Sequence, residues 1–141
     1  MCLYVDERYH TTLEPKTAKF PILVYKALEY SDYYMGYISP YMRLEYEFGV
    51  KYSSYLIVDD ENDSVEDGLH ACTTKESAEN HCHCYRVSYG DIFPAIIPVG
   101  AMFFIGEKNE IVSTELIVYK NLRALTRVHG KIRKGVCKEN V

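Results

Sequence analysis

The apolar residues of this chain fall in short segments separated by turn-forming residues, and this spacing limits the fold more than any other feature. No segment approaches the roughly 18 apolar residues that a membrane-spanning helix needs. Ile22–Leu28 is apolar and rich in strand-favouring residues, which predicts a strand buried on both faces. Met42–Phe48 alternates between polar and apolar residues, which is typical of a half-buried strand. Further strands are predicted over 51–58, 68–73, 84–88, 93–97, 101–105 and 110–119, the last with a bulge at 113–114.

Two short helices complete the predicted elements. Thr73 and Glu76 have the spacing of a capping box, which predicts a helix over 74–82. Asn121 can cap a second helix over 122–128. A chain of 141 residues is the length of one domain. We therefore predict a single β-dominated α+β domain over 1–141, with a mixed or antiparallel sheet and two short helices.

Three segments are predicted to lie outside this regular structure, in addition to a loop over 29–41. Residues 1–21 are expected to form an irregular leader, and 130–141 a basic tail that frays. Residues 59–67 hold six acids in nine positions, which predicts a solvated loop. This loop has the first spacings of a calcium-binding loop, but Ser64 and His70 stand where such a loop needs Gly and Glu, so no metal is expected.

Charge and cysteine content limit the classes of partner and the cellular compartment that we expect. Residues 1–119 carry nine lysines and arginines against nineteen acids, whereas 120–138 carry seven basic residues and no acid. An acidic body repels a polyanion, so nucleic acid is an unlikely partner, while opposite charges on body and tail favour a homo-oligomer. Five cysteines and no signal-like start indicate a reducing compartment, the cytoplasm. No membrane partner and no cofactor are expected.

Several residues could carry chemistry. His70 with Glu110 or Glu115 could form an acid–base pair, and if the chain is an enzyme its catalytic residues are expected to be His70, Thr73 and Glu115. The run 81–84 (His-Cys-His-Cys) lacks the paired spacing of a zinc site and is interpreted as a helix exit. Cys2 could act as an N-terminal nucleophile or be a small residue that permits removal of Met1.

Tyrosine is the candidate binding residue. The chain has 14 tyrosines and no tryptophan, and 11 of the tyrosines precede residue 56. A tyrosine ring can stack on a base or ribose, and a nearby lysine or arginine can hold a phosphate. The predicted ligand-binding residues are Tyr25, Lys26, Tyr41, His70, Arg123 and Arg127.

The chain resembles a group of small proteins encoded by tailed bacteriophages and prophages. The resemblance covers roughly 1–120 and is carried by the start 1–4 (Met-Cys-Leu-Tyr), by 39–41 (Ser-Pro-Tyr), by 68–74 (Gly-Leu-His-Ala-Cys-Thr-Thr) and by 97–100 (Ile-Pro-Val-Gly). It implies a phage origin and a role in the host bacterial cytoplasm. It names no reaction.

A weaker resemblance is to ADP-ribosyltransferase-like folds. The order of a strand with Lys26, a Thr-capped helix after 68–70 and a last strand with a glutamate is similar to theirs. It implies a nucleotide-shaped pocket, with Thr73 or Thr74 at the second position and Glu110 or Glu115 at the last. The glutamates depart from the Glu-x-Glu spacing of that family. Likeness at the level of fold is an association and does not identify a site.

Three functions follow as hypotheses. The first is a phage accessory protein that sequesters a host nucleotide-like immune signal and so counters antiviral defence. The second is a direct inhibitor of a host defence enzyme that uses the acidic segment 59–67 as its binding surface. The third is a divergent ADP-ribosyltransferase-like enzyme.

Overall fold

The computed structural model describes residues 3–39, 44–84 and 90–132. Strands dominate this part of the chain, as the sequence predicts, and they are joined by short turns. The strands are β1 (Leu3–Tyr4), β2 (Lys16–Thr17), β3 (Ile22–Ser31), β4 (Gly36–Ile38), β5 (Glu45–Tyr46), β6 (Lys51–Ser53), β7 (Ile57–Asp59), β8 (Ser64–Asp67), β9 (Leu69–Cys72), β10 (Gly90–Ile97), β11 (Met102–Ile105), β12 (Glu110–Ser113) and β13 (Glu115–Val118). The helices are α1 (Lys75–Cys84) and α2 (Leu122–His129).

One large antiparallel sheet organises the described residues. Its strand order is β2-β11-β12-β9-β3-β10-β13-β6, and β4 and β5 extend it from the end of β3. A second, three-stranded sheet has the order β1-β8-β7. The predicted fold class is confirmed: the protein is a β-dominated α+β domain, its large sheet is antiparallel, and the described residues contain two short α-helices.

The large sheet curves around its own core. Alternate residues of β3 (Ile22, Val24 and Leu28) share one buried cluster with residues of the same face of β9, β10, β11, β12 and β13. Among the described residues, no helix contributes to this cluster. A sheet face that buries itself without a helix must bend over on itself, because flat sheets need a second layer. Both helices and the small sheet therefore lie on the outer face.

The outer face is covered in two places. The small sheet packs Leu3 and Val65 against Phe104 and Val112. Helix α2 packs Leu125 against a cluster that includes Leu23 and Ile96. Asn121 caps α2 as predicted, since its side chain accepts a hydrogen bond from the Ala124 N–H at 2.8 Å. Among the described residues, no helix is long and apolar enough to cross a membrane.

The predicted leader and acidic loop are both more ordered than expected. Within 1–21, strands β1 and β2 pair with β8 and β11, and Leu3 is fully buried. Residues 59–67 were predicted as a solvated loop, which is wrong: β7 and β8 form a hairpin across the turn at 60–63. The hairpin tolerates its acids because Val65 faces the core while Glu66 faces solvent.

Two further strand predictions are wrong in their bounds. The predicted loop 29–41 contains the end of β3 and all of β4. The predicted strand 110–119 is two strands in different parts of the sheet, since β12 pairs with β9 and β11 while β13 pairs with β6 and β10. Thr114 makes the break, because its hydroxyl accepts from the Met102 N–H and its carbonyl accepts from the Ser54 N–H.

The predicted strand 51–58 also divides between the two sheets, as β6 and β7. Some predictions fall outside the described residues. These are Cys2, Tyr41, residues 42–43 of the predicted strand 42–48, residues 85–88 of the predicted strand 84–88, and the tail from 133. In the described part of 42–48, only Glu45–Tyr46 form a strand, β5.

Candidate ligand-binding pocket

A cavity of about 500 Å³ lies on the outer face of the large sheet. Its walls come from the N-terminal segment at Asp6–Tyr9, from the start of α1, and from the connection between β11 and β12. Its floor includes Leu23 and Tyr25 of β3. Pockets that enclose small ligands measure roughly 300–1,000 Å³, so the cavity has the size of a small-molecule site.

The end of β9 creates the space for this pocket. Cys72, the last residue of β9, pairs with Tyr25 on one side and with Glu110 on the other. The chain then leaves the sheet for α1, whereas β3 extends back to Ile22. Thr73 is fixed at this exit, since its N–H donates to the Asn109 carbonyl at 2.8 Å. The pocket lies where one strand stops and its neighbour continues.

The N-terminal wall is fastened to the end of β11. The Ile105 carbonyl accepts from the Asp6 N–H at 2.9 Å, and the Ile105 N–H donates to His10 Nε2 at 2.9 Å. Gly106 lies directly under Leu3, because a Cβ at this position would stand 2.4 Å from Leu3 Cγ. Close packing of a glycine against a buried leucine keeps this wall in place.

His10 acts in this wall as a neutral hydrogen-bond acceptor. The side chain is buried, and burial lowers its pKa below the ordinary value. A protonated imidazole would turn Nε2 into a donor facing the Ile105 N–H. The wall is therefore built for the uncharged histidine.

The pocket contains an ion pair in which one side chain is exposed and the other is buried. Arg8 Nη2 lies 2.7 Å from Asp6 Oδ2, and Arg8 Nε donates to both carboxylate oxygens at 3.1 and 3.2 Å. The Arg8 side chain is 79% exposed and that of Asp6 only 8%. Arg8 lowers the pKa of Asp6 through these hydrogen bonds, so the carboxylate is ionised at neutral pH.

The start of α1 adds a second cation. Lys75, the first residue of the helix, lines the pocket and is exposed. Thr74 caps the helix, because its hydroxyl accepts from the Ser77 N–H at 3.1 Å. The predicted capping box with Thr73 is therefore wrong by one residue: the Thr73 hydroxyl donates instead to the Asn109 carbonyl at 3.3 Å.

Of the predicted ligand-binding residues, Tyr25 lines the pocket and Lys26 does not. Lys26 follows Tyr25 on the strand and is buried on the other side of the sheet. Its Nζ donates to the His70 carbonyl and lies 5.5 Å from the centre of the Tyr46 ring. Burial lowers the pKa of Lys26 to about 8. Lys26 is a structural residue that joins β3 to β9.

The remaining predicted binding residues lie elsewhere. His70 is half-buried on β9, two residues before Cys72. Arg123 and Arg127 are exposed on α2, whose Leu125 packs against the same Leu23 that reaches the pocket floor. Neither Arg123 nor Arg127 lines the pocket.

The three residues predicted for an enzyme are not brought together. Thr73 lines the pocket, but Glu115 lies on β13 with its Oε1 3.4 Å from Lys51 Nζ. Strands β3 and β10 separate β9 from β13, and the registers set His70 and Glu115 six residues apart along the sheet. By ordinary strand spacings this is about 14 Å across and about 20 Å along the sheet. Glu110, the other candidate, lies on β12 opposite Cys72, and His70 pairs with Val112 two residues along, so His70 and Glu110 are diagonal neighbours in the sheet. Burial raises the pKa of Glu110.

Sequence reasoning missed the residues that give the pocket its charge: Asp6, Arg8 and Lys75. One signal was available, since Arg8 is the only lysine or arginine among the first 15 residues. Among the residues whose side chains are described, no group of three or more histidines, cysteines or acids could hold a metal. In the acidic turn, Asp59 instead accepts from the Glu61 N–H at 3.1 Å and from Asn62 Nδ2 at 2.6 Å.

Comparison with known proteins gave no match to a family model, to a curated protein or to a solved structure.

Proposed function

We propose that this protein is a phage-encoded accessory protein that binds and sequesters a host nucleotide-like immune signal in the bacterial cytoplasm, and so counters antiviral defence. The observation that carries the proposal is the composition of the pocket. Two tyrosines, Tyr9 and Tyr25, share one cavity with two cations, Arg8 and Lys75. Aromatic faces and cations are the two groups that a phosphorylated nucleoside needs.

The division of the pocket supports a role for each residue. Tyr25 lies on the floor beside the apolar Leu23, and this part suits a base or ribose. Arg8 and Lys75 come from two different walls and suit the phosphate. A ligand that contacts both walls would be enclosed and bound non-covalently, without a chemical reaction. The separation of His70 from Glu115 disfavours an ADP-ribosyltransferase-like reaction that would use these two residues together.

A nucleotide panel tests the proposal. The protein is heated with cyclic, linear and ADP-ribose-derived nucleotides, and the melting temperature is recorded. A ligand at 100 times its Kd adds about 2.7 kcal/mol to the free energy of unfolding, which raises the melting temperature measurably. The ligand recovered after denaturation is expected to be chemically unchanged. A panel without any shift contradicts the proposal, and a converted ligand contradicts sequestration.

Variants locate the binding in the pocket. Arg8→Gln and Lys75→Gln each remove a cation and are expected to reduce the shift. Lys120→Gln is the matched control, since Lys120 is also exposed but does not line the pocket. Equal losses in Lys75→Gln and Lys120→Gln would place the binding elsewhere.

A second candidate function, direct inhibition of a host defence protein, is favoured by the acidic hairpin. Asp60, Glu61 and Asp63 are exposed at its tip, and Asp59 holds the turn through Asn62. A fixed acidic surface could bind a basic partner. Replacing the six acids of 59–67 with their amides is expected to abolish capture of such a partner, and unchanged capture would contradict this candidate.

A further inference from the structure

The charges of the pocket nearly cancel. Among the described residues that line it, Arg8 and Lys75 are cations and Asp6 is a carboxylate. Asp6 is held ionised by Arg8 and remains 8% exposed. The charged side chains of the lining therefore offer one net positive charge to a ligand.

The ion pair also limits how many donors are free. A guanidinium has five N–H donors. Asp6 takes the Nε–H and one N–H of Nη2, so three donors of Arg8 remain for a ligand. Lys75 can add its ammonium from the wall formed by the start of α1. This set suits the two unesterified oxygens of one phosphate group.

A chain of phosphates suits the pocket less well. Each added phosphate brings negative charge close to the Asp6 carboxylate, whose pKa is lowered by the hydrogen bonds from Arg8, so that it stays ionised at neutral pH. Like charges a few ångströms apart repel each other strongly where solvent is partly excluded. Arg8 cannot turn fully toward the ligand without depriving the Asp6 carboxylate of its charged partner, which would leave Asp6 only the hydrogen bond from the Arg8 backbone N–H at 3.0 Å.

We propose that the pocket selects a nucleotide whose phosphate is a diester with a single negative charge, such as a cyclic mononucleotide, over nucleoside polyphosphates, and that Asp6 sets this selectivity. The inference rests on the proposed function, because it assigns a ligand class to the same site. Asp6 is a specificity residue that acts through Arg8 and through its own charge.

Calorimetry with matched pairs of ligands tests the inference. The 3′,5′-cyclic monophosphate and the 5′-triphosphate of each of the four common nucleosides are titrated into the wild-type protein. For the base that binds, the cyclic monophosphate is expected to bind at least tenfold more tightly than the triphosphate. Asp6→Asn raises the pocket charge by one and is expected to reduce this ratio at least tenfold. Asp60→Asn, which removes an exposed acid outside the pocket, is expected to leave the ratio unchanged.

The outcomes separate the two proposals. A triphosphate that binds as tightly as its cyclic monophosphate overturns the selectivity and leaves the proposed function standing. So does an unchanged ratio in a folded Asp6→Asn protein. No binding by any nucleotide, here and in the wider panel, overturns both. If Asp6→Asn does not fold, the wild-type ratio decides, together with Lys75→Gln. The latter lowers the pocket charge to zero, and its affinity for the triphosphate is expected to fall more than its affinity for the cyclic ligand.

Discussion

At the scale of single residues, Lys26 has the least ordinary environment. Its ammonium lies in the core of the large sheet, bonded to the His70 carbonyl and beside the Tyr46 ring. Burial lowers the pKa of Lys26 to about 8. Its place within the apolar segment 22–28 indicated a buried position, but the sequence does not show which carbonyl would accept from it. That partner depends on where β9 lies beside β3, which is a long-range property of the sheet.

Lys26 should make stability rise with pH. The pKa of the folded state, about 8, is lower than that of an unfolded lysine, so above pH 8 the unfolded chain binds more protons. Raising the pH from 8 to 9.5 is expected to add about 2 kcal/mol to the free energy of unfolding. Urea unfolding of wild type and Lys26→Met over this range measures the effect. The variant should lack the slope, and a parallel slope in both proteins would contradict the burial of a charged Lys26.

His10 should make the protein sensitive to mild acid. Its pKa is lowered by burial, so the unfolded chain takes up a proton first as the pH falls below about 6.5, and stability is lost. The Asp6 carboxylate favours protonation of His10 and Lys16 opposes it, while a backbone hydrogen bond to Glu14 favours the charged form. His10→Gln keeps an acceptor for the Ile105 N–H without titrating. We expect its stability between pH 7 and 5 to fall less than that of wild type, and an equal fall would exclude His10 as the cause.

At the scale of elements, sequence patterns predicted those features whose stability depends on residues close together in the chain. The both-face burial of β3 and the Asn121 cap of α2 were predictable, because apolar runs and caps act over a few residues. For 110–119 the sequence predicted an irregularity at 113–114, but the division into two separately paired strands was not predictable, since it depends on bonds from Thr114 to Met102 and Ser54 in distant parts of the chain. The pocket was predictable in part for the same reason. Tyr25 is on a recognisable strand, whereas Arg8 reaches the pocket because Leu3, Asp6 and His10 hold the N-terminal segment against the end of β11.

The contact between β1 and the β11–β12 connection can be tested by a substitution at Gly106. Gly106 has a φ of −98°, which any residue adopts, so a substitution there is limited by space alone. Gly106→Ala would place a Cβ against the Leu3 side chain and is expected to destabilise the fold by about 1–3 kcal/mol. In a Leu3→Ala background the clash is removed, and the same substitution should cost less than half as much. Equal costs in the two backgrounds, measured by urea unfolding, would contradict the contact.

At the scale of the whole molecule, charge is unevenly distributed. The cations Lys120, Arg123, Arg127 and Lys131 are exposed on and around α2, while acids dominate the remainder of the chain. Apolar patterning accounts for the core of the sheet and for the helices on its outer face. The uneven distribution of charge lies on the exposed surface and is not needed to explain this packing. It is free to act between copies of the chain.

Opposite charges should produce association that depends on salt. At an ionic strength of 1 M the screening length is about 3 Å, which removes most attraction between exposed charges. We expect light scattering to give a mass well above the 16.3 kDa of one chain in low salt and a lower mass in 1 M salt. Replacing Arg123 and Arg127 with glutamine should have the same effect as salt. The mass of a single chain under both conditions would contradict the expectation.

The large sheet consists of two panels, β2-β11-β12-β9 and β3-β10-β13-β6, and within the described residues one register pair, Tyr25 with Cys72, joins them. We expect local opening of the backbone, and therefore amide hydrogen exchange with solvent, to be fastest at such a junction. The cavity opens at this junction and takes Tyr25 from one panel and Thr73 from the end of the other. A bound ligand that contacts both panels would therefore hold them together. Slower amide hydrogen exchange along β9 would then reveal binding even if no other signal changed.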